Sequence, residues 1–280
     1  MNTVVPFRSP VRLYNKTRIT ENFEEKFRAL KRMDLVLLLK VLQSSDLARE
    51  GIANSGSFRF ADHLYRNEAS GTRLHGRILD RILLNLPSAR TMRRRYIKAR
   101  DYMIATTASF TANPVELLTI PCGIPRDVLE TIQLLRSEDP VVAAKLRCTG
   151  FDLDPCALEA ASELIPTGGT WLQADALDSF AFPADRFHLI SSTGLGEFLS
   201  DADLLRFYRN VHKSLRDRGH FFTSAIRSDP LSGRLLKHFE LSHVNRNESD
   251  LFRILSRLRW RDLRFEEDRS GLQTYVYAVK

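Results

Sequence analysis

Cysteine is scarce in this chain of 280 residues: three occur, Cys122, Cys148 and Cys156. Their gaps of 26 and 8 residues fit neither a zinc ribbon nor a CxxC redox pair, so no metal site is expected. Long apolar runs are missing as well. The longest all-aliphatic stretch, Leu35–Leu39, falls far short of the roughly 20 residues that a membrane span needs. The amino terminus carries Pro6, Arg8, Pro10 and Arg12 where a signal peptide would be apolar. Together these absences lead us to expect a soluble protein with no membrane span, in the reducing, cytoplasmic compartment. No repeat, no low-complexity tract and no Gly-Lys-Ser/Thr phosphate loop occurs.

What is present is a basic excess, +8 overall, and it is unevenly placed. Residues 1–104 hold 21 Lys and Arg against 10 Asp and Glu, whereas residues 105–280 hold 21 against 24. A length near two typical domains and 43% hydrophobic content suit a sizeable core. The periodicity divides in the same way. From Thr20 to about Ala53 the apolar residues Phe23, Phe27, Leu30, Met33, Leu37 and Val41 recur every three or four positions, which predicts one amphipathic helix stopped by Gly51, Asn54 and Gly56. Further helices are expected at about 57–67, 73–85 and 88–104, the last with Ser88 as N-cap.

Beyond Asn113 short apolar runs alternate with helical segments. Strands are expected at 115–120, 146–151, 170–173, 187–191 and 220–225, and helices at 126–137, 155–164 and 201–215. This alternation builds a parallel sheet with right-handed crossovers. The tail, 260–267 and 273–279 around Asp268-Arg-Ser-Gly271, reads as an antiparallel hairpin. The fold class is therefore α/β, with residues 1–106 a helical cap that covers the substrate and 107–280 the sheet domain.

A doubly wound sheet binds its ligand at the carboxyl ends of its strands. After the first strand stands Pro121-Cys-Gly-Ile-Pro-Arg-Asp127, where Gly123 allows close backbone approach and a helix terminus offers N–H groups. After the second stands Gly150-Phe-Asp-Leu-Asp-Pro155, whose Asp152 suits the two hydroxyls of a ribose. After the third, Asp175 and the following backbone suit an adenine amino group. Taken singly, such an Asp is usually a turn or cap residue, as Asp154 is read here; the order of all three points to an adenosine.

These residues resemble the class I S-adenosylmethionine-dependent methyltransferases over about residues 110–280. The likeness rests on Gly150-x-Asp152-x-x-Pro155-x-x-Leu158, on Ala174-Asp175-Ala176 and on the closing hairpin. Pro-Cys-Gly-x-x-Arg-Asp, preceded by Leu83–Arg90, is similar to a bacterial subgroup with a helical cap. The resemblance implies a Rossmann-like seven-stranded sheet with its last strand antiparallel and S-adenosylmethionine as cofactor. It implies Asp152 on the ribose, Leu153 on the adenine and Asp175 with Ala176 at its edge. Ser191–Leu195, with Ser192 and Thr193 as candidate catalytic groups, would run beside the methionine. The glycine-rich first motif is reduced to Pro121, Gly123 and Pro125, and Thr119 stands where an acid is common. In that reading Arg126 pairs with the methionine carboxylate, joining Pro121, Cys122 and Gly123 as cofactor-binding residues.

Tyr65 is the aromatic side chain we expect to face the sulfonium, by cation–π attraction; Phe58, Phe60, His63 and Leu64 are read as core. Cys122 reads as a small buried thiol and His188 as a hydrogen-bonded core residue. Arg93–Arg95, Lys98 and Arg100 read as a solvated face or as salt bridges to the sheet domain, which disfavours nucleic acid. The polar groups of 237–247 either orient an acceptor or cover a surface helix. The expected reaction is methylation of a small-molecule acceptor, one of specialised metabolism, without metal. Three alternatives stay open: intramolecular cyclisation releasing methylthioadenosine, an RNA methyltransferase, and a non-catalytic adenosine-binding protein.

Overall fold

The computed structural model describes residues 41–53, 57–227 and 244–280. Four helices come first: α1 (Asp46–Ala53), α2 (Phe58–Arg66), α3 (Arg73–Leu84) and α4 (Pro87–Ser109). The single helix expected from Thr20 to Ala53 is interrupted: the chain turns at Gln43–Ser44, and Ser45 caps α1 by accepting from the Ala48 N–H at 2.9 Å. Its hydroxyl also donates to the buried Asp80 carboxylate, which collects the N–H groups of Ser70 and Gly71. The apolar period runs across this cap, so periodicity alone joined two elements; Gly51 lies inside α1 rather than ending it. Phe23–Leu37 lie outside the described residues. Ser88 is not an N-cap either. Helix α4 starts at Pro87, whose missing N–H and fixed φ suit the first helical position.

The remainder follows the expected order: β1 (Val115–Thr119), α5 (Arg126–Glu138), α6 (Pro140–Lys145), β2 (Leu146–Asp152), α7 (Pro155–Leu164), β3 (Gly169–Gln173), β4 (Phe187–Ser192), α8 (Asp201–Ser214), β5 (Leu215–Ile226), α9 (Glu248–Leu255), β6 (Asp262–Glu267) and β7 (Gln273–Val279). Helix α6, a 3-10 turn at Leu195–Phe198 and α9 were not separately anticipated. The seven strands run β3-β2-β1-β4-β5-β7-β6, with β7 antiparallel to both of its neighbours.

Strand alternation sends Leu118, Ile190, Phe221 and Val276 to one face, where α8 packs Leu204, Phe207, Tyr208 and Val211, and α9 packs Leu251, Ile254 and Leu255. The other face carries Leu117, Leu189 and Cys148 against Met103 of α4, Val128 and Leu135 of α5, and Ala160 and Leu164 of α7. Ala99 of α4 packs on Phe222, Tyr275 and Tyr277. Each fully buried Leu or Phe contributes roughly 1.5–3 kcal/mol relative to exposure. Helices α5 and α7, which follow β1 and β2, lie on one face, and α8, which follows β4, lies on the other. The crossover direction therefore reverses between β1 and β4, which opens a crevice at their carboxyl ends.

Candidate functional site

In register, Thr119 of β1 lies opposite both Gly150 of β2 and Ser191 of β4, so the three strands reach the crevice at one level. Past β1, Ile120 N–H donates to the Ser191 carbonyl at 3.0 Å and Cys122 N–H to the Phe151 carbonyl at 2.8 Å. The chain then leaves the sheet at Gly123, where φ is +48°. Gly123 N–H donates to Asp152 Oδ2 at 2.9 Å, and Asp154 N–H donates to Asp152 Oδ1 at 3.0 Å. Two backbone donors thus fix the carboxylate while each oxygen keeps a lone pair for a ligand. Ala174 N–H donates to the Asp152 carbonyl, which brings Asp175 and Ala176 to the same edge. Asp175 accepts from Leu177 N–H, and the Ala176 carbonyl accepts from Asn210 of α8.

Helix α2 bridges the crevice with residues at i, i+4 and i+7, one face of a helix. A Cβ placed on Gly123 would lie 3.2 Å from Cβ of Phe58, so close approach and positive φ both require glycine there. Asp62 forms an ion pair with Arg126 Nε and accepts a second bond from its Nη2 at 3.2 Å. Tyr65 stacks on Tyr96 at 4.8 Å and its hydroxyl accepts from Arg95 Nη2 at 3.0 Å. Arg95, 3% exposed, donates from Nη1 to Oε1 of Glu197, 5% exposed, at 2.8 Å. Its guanidinium also lies about 3.4 Å from where a Cβ on Gly194 would stand. One end of this face of α2 therefore rests on the loop after β1, and the other, through Arg95, on the turn after β4.

The residues brought together are Pro121–Gly123, Arg126, Asp152–Leu153, Asp175–Ala176 and Ser191–Thr193; Tyr65 is held by Tyr96 and Arg95. Asp62 and Glu197 were missed by sequence reasoning, and Arg95 was read only as one of the basic run. Their only signals were the spacing 58, 62, 65 and the arginine run. Within that run, Arg94 pairs with Asp268, Lys98 with Glu266 and Arg100 with Glu130, so the salt-bridge reading of the basic face holds. Asn245–Asn247 do not present an acceptor-orienting cluster: buried Arg246 donates to the Gly196 and Leu199 carbonyls, each at 2.6 Å, and Asn247 caps α9. Residues 237–243 lie outside the described residues.

Burial pushes the Cys122 thiol well up, which favours the protonated form of this small buried side chain. His188 accepts from Glu116 N–H at 3.0 Å, and burial lowers its pKa; it is a core residue held neutral. Burial raises the Asp127 carboxyl to about 6, at the first turn of α5. Two features fit an added ligand. Ser192 Oγ, at the end of β4, is buried without a hydrogen-bond partner among the described residues. Leu153, directly after Asp152, is 62% exposed, an apolar surface beside a ribose-competent acid. Groups of three or more potential metal ligands do not occur among the described residues.

A family model described as "Putative methyltransferase" matches residues 13–224. The chain belongs to this methyltransferase family. No curated protein matches it. Among solved structures it is similar to a possible exported protein from Bordetella parapertussis, at 19% identity over 98% of this chain and 99% of that one, with a TM-score of 0.75. It is also similar to the CMeT domain of the citrinin polyketide synthase, at 15% identity over 79% and 65% of the two chains, with a TM-score of 0.56. These likenesses establish the methyltransferase-like fold. No helix among the described residues is long and apolar enough to cross a membrane.

Proposed function

We propose that this methyltransferase uses S-adenosylmethionine to methylate a small-molecule acceptor of specialised metabolism. The supporting observation is the convergence of Gly123, Asp152 and Ser191–Thr193 at the switch point beneath α2. When bound, S-adenosylmethionine supplies a methyl group on a positively charged sulfur. The protein has then to align acceptor, methyl and sulfur and to exclude water. Asp152 would hold the ribose hydroxyls, Leu153 the adenine face, and Asp175 with Ala176 its edge. Cys122 and Pro121 would line the backbone turn, and Ser192, with its unspent hydroxyl, and Thr193 would meet the acceptor. Tyr65 would present its ring to the sulfonium.

In this reading residues 1–106 cover the acceptor and residues 107–280 hold the cofactor, with α4 running across that boundary. A small acceptor suits a crevice bridged by α2, and Arg94, Arg95, Lys98 and Arg100 are spent on carboxylates within the chain. The three free thiols suit a cytoplasmic location. The family match speaks for methyl transfer over intramolecular cyclisation. Calorimetry with S-adenosylhomocysteine tests the site: binding is expected, and Asp152→Ala is expected to weaken it about 10-fold or more, as loss of charge-assisted hydrogen bonds does. Incubation with S-adenosylmethionine distinguishes the reactions. Acceptor-dependent S-adenosylhomocysteine supports the proposal, and methylthioadenosine formed without acceptor refutes it.

A further inference from the structure

The amino-acid end of S-adenosylmethionine carries an ammonium and a carboxylate on one carbon. A site for it needs an anion and a cation side by side on one wall. Asp152 and Asp175 belong to the adenosine end, Thr119 is buried and uncharged, and Pro121–Pro125 bears no charge. Beside Gly123 the opposite charges are Arg126, the first residue of α5, and Asp62, delivered by α2 from 64 residues earlier in the chain. Asp62 is 8% exposed, and Arg126 keeps some access to solvent.

We propose that Asp62 and Arg126 act together as the receptor for the cofactor's amino-acid end, Asp62 taking the ammonium and Arg126 the carboxylate. The inference rests on the cofactor reading above and adds to it the residue that supplies the negative charge. The pair engages Nε and Nη2 of the guanidinium, which leaves the Nη1 amino group to donate to a carboxylate. Each Asp62 oxygen retains a lone pair for an ammonium. Existing pairing keeps both charges compensated before the ligand arrives, so neither stands bare in a half-buried cleft. Because Asp62 sits one turn beyond Phe58 on α2, the amino-acid end would bind between that helix and the loop after β1.

Calorimetry with two ligands tests this. S-Adenosylhomocysteine has the amino-acid end; methylthioadenosine has the adenosine and sulfur without it. Asp62→Asn and Arg126→Gln are each expected to weaken S-adenosylhomocysteine about 10-fold or more, the scale of a lost charge-assisted hydrogen bond, and to leave methylthioadenosine within about twofold. Asp62→Glu, which keeps the charge, should retain most of the preference for S-adenosylhomocysteine. The ratio of the two affinities is the readout, because any loss of folded protein affects both ligands equally. If both ligands weaken alike, or neither changes, the pair only fastens α2 and the proposal fails. If wild-type protein binds neither ligand, the cofactor reading itself fails.

Discussion

The ion pair between Arg95 and Glu197 joins α4 to the turn after β4 across 102 residues of sequence, and both side chains are almost wholly buried. Glu197→Ala removes one charge and leaves the guanidinium in the interior with the Tyr65 hydroxyl as its remaining acceptor. Breaking a buried pair in this way costs about 3–5 kcal/mol, because the surviving charge has lost both its water and its partner. For a chain of this size 1 kcal/mol moves the melting temperature by about 2–4 °C, so a fall of about 10 °C is expected. Lys98→Ala provides the contrast. Its pair with Glu266 is also short, at 2.6 Å, but both side chains are substantially exposed, and removal should cost at most about 1 kcal/mol. The double substitution Arg95→Met with Glu197→Leu removes the charge problem and should be more stable than Glu197→Ala alone. Denaturant unfolding followed by circular dichroism measures all three. The reasoning is refuted if Glu197→Ala costs no more than Lys98→Ala, or if the double variant is no more stable than Glu197→Ala.

Asp268 sets a pH dependence. Burial would raise its carboxyl, but bidentate bonds from Arg94 and bonds from the Ser270 hydroxyl and N–H outweigh that and bring it down to about 2. Its folded pKa lies below the unfolded value, so its contribution is present above about pH 4 and is lost as pH falls towards 2. Unfolding titrations of wild type and Asp268→Asn should accordingly differ at pH 7 and converge as pH approaches 2. Gly150→Ala would place a Cβ 2.3 Å from the Trp171 ring and 2.8 Å from Cβ of Cys122, and overpacking of this kind costs roughly 1–3 kcal/mol; an unchanged melting curve contradicts the packing. In a thiol-reagent titration of native protein Cys156, the exposed cysteine, should react first; buried Cys122 and Cys148, the latter raised to about 12, should react only on unfolding.

The seven strands and helices α5, α7 and α8 were legible because each carries its own signal: β-branched and aromatic runs for strands, three- and four-residue spacing for helices, and Pro or Asp at the turns. Asp152 was legible for the same reason, as an acid at a predicted strand end. Ser88 and Ser45 were not, since capping depends on where φ changes, and an apolar period says nothing of that. Arg246 was illegible in a different way: it is as polar as an acceptor-binding group, yet it is spent on the carbonyls of Gly196 and Leu199.

By itself, then, the sequence determined the order of the strands, the sheet with its antiparallel closing strand, and the acid at the tip of β2. Each is encoded within a few consecutive residues, where steric and hydrophobic preferences act directly. Only the tertiary structure decided that Phe58, Asp62 and Tyr65 form one face of α2 across the crevice, and that Arg94, Arg95 and Arg100 are paired rather than free. Pairing over 64 or 102 residues depends on which surfaces the core brings together, and a charge count is the same whichever partner each charge finds.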